Sequence, residues 1–216
     1  MQIAILLYEG FTALDAVGPY EALAALPGAT VVFTAERPGP VTADTGMLSL
    51  IAEANLDDVP HPDVLLVPGS SRSTAAQMAR GPVRDWLSSA DVHTSWTTSV
   101  CTGSLILAAA GLLTGRRATS HWLTLDQLAG YGATPERQRV VIDGKYVTAA
   151  GVSAGIDMAL KLAGGIAGQP VAEAIQLMME YDPQPPYGAG SPATAPADLV
   201  SQLRWRYRNV RAPASG

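Results

Sequence analysis

The chain has 216 residues, 48% of them apolar and 15% charged, which supports one sizeable core and excludes global disorder. A formal net charge of −5 weighs against a nucleic-acid partner, because phosphate binding needs clustered Lys and Arg. The single cysteine excludes an intrachain disulfide and a cysteine-based metal site, and it fits a reducing cytoplasm.

Residues 3–8 form an apolar run, too short for a membrane span and lacking the basic start of a signal peptide. They are expected as the first buried strand. Helical patterning follows at 19–25, with Pro19 suited to a first helical turn. Residues 30–35 and 64–67 read as the second and third strands, the latter ending in Pro68-Gly69. Helices are expected at 73–79 and 83–89, and a fourth apolar strand at 93–100. The small, apolar stretch 104–113 reads as a buried helix. A hairpin is expected from 140–142 and 146–149 around Asp143-Gly144, then helices at 154–167 and 171–179. Residues 182–196, rich in Pro, Gly, Ala and Ser, read as a loop rather than a domain boundary, and 197–208 as a last helix. Its basic cluster, Arg204, Arg206, Arg208 and Arg211, reads as a solvated helix face. The expected fold is α/β: one flavodoxin-like, doubly wound, mostly parallel sheet with helices on both faces, in a single domain over 1–216.

Cys101 closes the fourth strand in Thr98-Ser99-Val100-Cys101-Thr102-Gly103-Ser104. The small residues after it permit a sharp strand-to-helix turn of the nucleophile-elbow kind, although Ser99 stands where the G-x-S-x-G pattern has its first Gly. A buried structural thiol is the alternative. A thiol of pKa ~8.5 is about 3% thiolate at pH 7, and lowering it two units takes about 2.7 kcal/mol. A helix dipole supplies roughly 0.3–1 kcal/mol, so a hydrogen-bond donor is expected to help.

Asp15, in Leu14-Asp15-Ala16-Val17-Gly18-Pro19, is the candidate donor, since loops after the first and fourth strands can meet at one sheet edge. An ionised Asp would repel a thiolate, so a helpful Asp15 must be protonated in a dry pocket. An ordinary loop carboxylate is the alternative. Thr102 offers a backbone N–H and a hydroxyl for developing charge, or simply a helix cap. His61 reads as a loop residue, His93 lies near the start of a strand, and His121 is a candidate Cys101 partner or a structural histidine. No pair has zinc-ligand spacing and no phosphate-binding glycine motif is present, so neither a metal nor another cofactor is expected.

The elbow, together with Ala110-Gly111-Leu112-Leu113, Arg117-Ala118-Thr119-Ser120-His121-Trp122 and Ala150-Gly151-Val152-Ser153-Ala154-Gly155-Ile156-Asp157, resembles the ThiJ/PfpI superfamily, relatives of class I glutamine amidotransferases. Leu14-Asp15 with Gly18-Pro19, and Glu180-Tyr181-Asp182-Pro183-Gln184-Pro185-Pro186-Tyr187-Gly188, are similar to its isocyanide-hydrating branch. That resemblance implies Cys101 as nucleophile, Asp15 as its acid partner and Thr102 beside them. It places Gly69, Gly151 and Val152 at the substrate, and implies a homodimer acting on a small isocyanide without nucleic acid or membrane. Protease branches carry His where Thr102 stands. A ligand-sensing domain related to AraC-type regulators, a glyoxalase-like enzyme acting on a 2-oxoaldehyde and a redox sensor remain alternatives. The regulators continue into a DNA-binding domain, and none is expected before Gly216.

Overall fold

A computed structural model describes residues 1–211, with side chains through Asn209. By internal contacts the chain parts into two compact units, Met1–Glu180 and Tyr181–Gly216.

In the first unit, in chain order, lie β1 (Gln2–Leu6), α1 (Ala13–Leu23), β2 (Thr30–Ala35), β3 (Gly39–Thr42), β4 (Ser49–Ala52), β5 (Ala54–Asn55), β6 (Val64–Val67), α2 (Thr74–Met78) and α3 (Pro82–Asp91). Then come β7 (Trp96–Val100), α4 (Gly103–Ala109), β8 (Arg117–Ala118), β9 (Thr134–Pro135), β10 (Val140–Asp143), β11 (Tyr146–Ala149), α5 (Ala154–Ala167) and α6 (Gln169–Met178). The second unit holds α7 (Ala197–Arg211). On it Arg204, Arg206 and Arg208 are exposed, as expected of a solvated face, while the Arg211 side chain lies outside the described residues. No described helix is long and apolar enough to cross a membrane.

Seven strands pair in the order β10-β11-β7-β6-β1-β2-β5, parallel except for the antiparallel edge pair β10–β11. The buried runs of β1 and β6 explain their central places, since a parallel strand covered on both faces has no wet side. Helices α1, α5 and α6 pack as one group, and α2, α3 and α4 as another. The chain runs from β1 to β2 on one side and returns to β6 on the other, so the order reverses between β1 and β6. Ligand crevices form at the carboxyl ends of strands at such a point.

Three expectations are corrected. The strand before Cys101 begins at Trp96, residues 93–95 being a turn, and is hydroxyl-rich rather than apolar. Its Thr97, Thr98 and Ser99 are fully buried, and Thr98 hands its hydroxyl to the Leu65 carbonyl at 2.9 Å. Pro19 lies inside α1, which starts six residues earlier behind Thr12. Its ring packs against Gly155 of α5, where an added Cβ would lie 3.0 Å from the proline Cγ. The helix expected over 104–113 ends at Ala109, giving way to turns through Gly111 at φ +84°. The β3–β4 pair, a separate two-stranded sheet, was not apparent from the sequence.

Candidate active site

Three strand ends supply the site. β1 leads to Asp15 in the first turn of α1, β6 leads to Pro68-Gly69-Ser70, and β7 leads to Cys101. Cys101 has φ +59°, a left-handed conformation that a non-glycine residue adopts only when its surroundings impose it. Its N–H is shared between the Ala149 and Ala150 carbonyls at 3.1 and 3.0 Å. Its carbonyl receives the Ser104 hydroxyl at 3.2 Å and the Ser120 hydroxyl at 3.1 Å. The next turn depends on Gly103, where an added Cβ would sit 2.1 Å from the Val67 carbonyl oxygen.

Asp15 is fully buried. Its Oδ2 accepts the Gly69 N–H at 2.9 Å, whereas Oδ1 is buried without a hydrogen-bond partner. The remaining polar group it meets is the Cys101 thiol. Gly69 permits this approach: a Cβ there would lie 2.6 Å from both the Thr102 nitrogen and Oγ1, and 3.0 Å from Asp15 Oδ2. Burial, with no cation to offset it, pushes the Asp15 carboxyl up to about 7 against the pull of the Gly69 N–H and the thiol.

Burial pushes the Cys101 thiol up, and the charge of an ionised Asp15 pushes it further. The Thr102 and Val152 N–H groups and the Thr102 hydroxyl act in the opposite direction. The expected lowering of this thiol by a helix is therefore not what the surroundings provide while Asp15 is charged; α4 has only seven residues. The two groups behave as a pair competing for one proton, and protonating Asp15 removes the charge that most opposes a thiolate.

Thr102 does not cap α4 with its side chain. Its hydroxyl accepts the Ser70 N–H at 2.9 Å, reaches the Ser70 carbonyl at 3.1 Å and lies 2.7 Å from Thr74 Oγ1. Val152, at φ +37°, is strained for a β-branched residue and presents its N–H to the sulfur. Gly151 faces the His121 ring, with an added Cβ only 2.7 Å from Cδ2. His121 Nδ1 receives the Leu123 N–H at 3.3 Å, and burial lowers its pKa; it makes no hydrogen bond to Cys101. The structure thus brings Asp15, Gly69, Cys101, Thr102 and Val152 together, with Gly151 alongside under His121. His61 and His93 lie against each other with ring centroids 3.9 Å apart and planes tilted by 53°, three residues before β6 and β7 respectively.

Sequence reasoning missed Tyr8. Its buried hydroxyl donates to the Pro68 carbonyl at 2.8 Å, and its pKa is raised by burial first and then by the charges of Asp15, Cys101 and Asp44. An apolar strand ending in Tyr carries no signal that the phenol turns toward a site. Ser70 and Thr74 were missed because nothing local marks the bonds they make to the distant Thr102 hydroxyl. Among the described residues no three His, Cys, Asp or Glu side chains group as a metal site.

Residues 1–164 match the DJ-1/PfpI family. The chain belongs to that family. Over 206 residues it is 43% identical to the isonitrile hydratase of Pseudomonas putida, covering 95% of this chain and 90% of that protein. A crystal structure of a ThiJ/PfpI family protein from Pseudomonas syringae superposes with a TM-score of 0.93 at 41% identity, covering 96% of this chain and 86% of that one. An HTH-type regulator of Pseudomonas aeruginosa, CdhR, is 36% identical over 57% of this chain but only 37% of its own length.

Proposed function

We propose that this DJ-1/PfpI protein is an isocyanide hydratase, a lyase that interconverts R–N≡C plus water and an N-substituted formamide. The observation that carries the reading is the orphaned Asp15 Oδ1, fully buried beside the only thiol of the chain. A carboxylate oxygen in that setting is costly unless it holds a proton, and a proton there serves both as donor to sulfur and as acid. The kinship with the Pseudomonas putida enzyme over nearly the whole length of both chains supports the substrate class.

The terminal carbon of an isocyanide accepts both a nucleophile and a proton. Cys101 sulfur attacks that carbon while the Asp15 carboxyl gives its proton to it, forming a thioimidate, Cys–S–CH=N–R, and leaving Asp15 ionised. Water then adds to the same carbon. Asp15 takes a proton from the water and passes it to the nitrogen. Collapse of the resulting S–CH(OH)–NH–R returns the hydroxyl proton to Asp15, breaks the C–S bond and releases the formamide and the thiolate. Atoms and charge balance, and both protein groups end as they began. The N–H groups of Thr102 and Val152 stabilise sulfur as it gains and regains charge. Gly69, Gly151 and Val152 line the approach, and the resemblance extends the proposal to a homodimer.

The test is direct. Purified protein with simple aryl and alkyl isocyanides should yield formamides by chromatography, and Cys101→Ala should yield none. Absence of formamide from the wild type across several isocyanides would sink the proposal in favour of a 2-oxoaldehyde substrate or a ligand-sensing role.

A further inference from the structure

The left-handed turn at Cys101 has a consequence for its own carbonyl. In an α-helix the carbonyl before the first turn accepts an amide N–H from the following residues. Here the amide of Leu105 bonds to Thr102, and the Cys101 carbonyl receives hydroxyls instead. One comes from Ser104, three residues on in α4. The other comes from Ser120, nineteen residues on in the Arg117–Trp122 motif, which the reaction scheme above does not use. All three serine and threonine side chains of this cluster, Ser104, Ser120 and Thr124, are buried. Thr124 Oγ1, 3.1 Å from Ser120 Oγ, donates to the His121 carbonyl at 3.0 Å, and the Ser120 hydroxyl hydrogen goes to the Cys101 carbonyl.

We propose that Ser120, rather than its neighbour His121, is the positioning residue of this motif: its hydroxyl holds the Cys101 carbonyl, and with it the left-handed turn that aims the sulfur at the Thr102 and Val152 N–H groups. Ser104 travels with the same helix and fixes the carbonyl only relative to α4. Ser120 belongs to a different segment and ties the turn to the rest of the site. Without it the carbonyl keeps one hydroxyl, and the strain at φ +59° has less to oppose its release. The sulfur then turns away from its N–H donors.

The inference rests on Cys101 as the reactive group but not on the isocyanide, so the test reads the thiol directly. Iodoacetamide alkylation of Cys101 is followed against pH in wild type, Ser120→Ala and Ser120→Thr, with kcat and KM for an isocyanide and the Tm of each. Ser120→Ala should slow alkylation at pH 7 about tenfold, the equivalent of one unit in the thiol midpoint, and move that midpoint upward. It should lower kcat by a similar factor with KM changed less than about twofold. Ser120→Thr, which keeps the hydroxyl, should restore both. Ser104→Ala, which leaves the Ser120 tie in place, should shift alkylation less than Ser120→Ala does, and Ser120→Gly supplies the reading if Ser120→Ala does not fold. Thr94→Val, in a buried network at the other end of β7, should lower Tm without moving the alkylation midpoint. If Ser120→Ala loses Tm as Thr94→Val does but keeps the wild-type alkylation profile and kcat, the serine is merely structural and the inference is wrong. If alkylation shifts as stated while even the wild type makes no formamide, Ser120 keeps its role and the substrate assignment fails.

Discussion

The unit Met1–Glu180 buries two aspartates, and they are handled in opposite ways. Asp91 ends α3 near the first residues of β7 and β11. Its Oδ1 accepts the Thr97 hydroxyl at 2.6 Å, its Oδ2 accepts the Tyr146 hydroxyl at 3.0 Å, and Lys145 Nζ stands 3.1 Å away. Every oxygen is partnered and a cation is at hand. Tyr146 in turn is pushed up to about 12, by burial first and then by Asp91. Asp15, at the other ends of the strands, has one N–H, one orphaned oxygen and no cation. The first arrangement partners both oxygens and holds elements together; the second opposes a charge and keeps a proton in play. A carboxylate can be buried for structure or for chemistry, and the partners of its second oxygen tell which.

Substitution separates the two carboxylates. The largest effect is expected from Cys101→Ala, which should reduce formamide formation by at least about 10³-fold without a comparable loss of stability. Next is Asp15→Asn, expected to lower kcat/KM by about 10²–10⁴-fold, the range of a lost acid–base group. The same variant should reveal the cost of the site. With Asp15 raised from 3.8 to about 7, the folded chain retains a proton that the unfolded chain has released between those pH values. Stability from this group therefore falls as pH rises through that window and levels off above it, a loss of up to about 4 kcal/mol for a shift of this size. Asp15→Asn removes the dependence, so its Tm should gain on the wild type between pH 5 and pH 8, measured by thermal scans. If the gain is absent, the carboxyl is not held against its charge.

Asp91→Ala should do the reverse. It breaks a partnered cluster and should cost about 3 kcal/mol by denaturant titration, with Cys101 alkylation unchanged once the protein is folded. The smallest effect belongs to Tyr8→Phe. Losing the bond to the Pro68 carbonyl should cost about 1 kcal/mol and lower kcat/KM about threefold by loosening the Gly69 N–H that holds Asp15. A larger loss of activity than of stability would place Tyr8 nearer the chemistry than its bond to Pro68 suggests.

Much of this was legible in the sequence because it is written locally. The apolar runs of β1, β2 and β6, the β10–β11 hairpin and helix α5 follow from periodicity and turn chemistry. The Cys101 elbow follows from the small residues after it. The β3–β4 pair escaped because Gly39-Pro40 and an exposed Ile51 break the alternation that marks a strand. Pro19 misled because its preference for a first turn does not fix the helix start: α1 begins six residues earlier, and the proline ring packs on Gly155, distant in sequence. Tyr8 and Ser120 escaped for a further reason: each acts by giving a hydroxyl to a carbonyl far along the chain, and no pattern in a single sequence encodes that pairing.

Asp15, buried with no cation beside it, holds its proton from the ordinary carboxylate range up toward neutral pH. Infrared difference spectroscopy of the carboxylic C=O stretch tests it most directly. The wild type should show a protonated-carboxyl band that titrates away near pH 7, disappears in Asp15→Asn and persists in a folded Asp91→Asn. A wild-type spectrum with no such band above pH 5, or a band that survives Asp15→Asn, would show that Asp15 is not the group that keeps its proton.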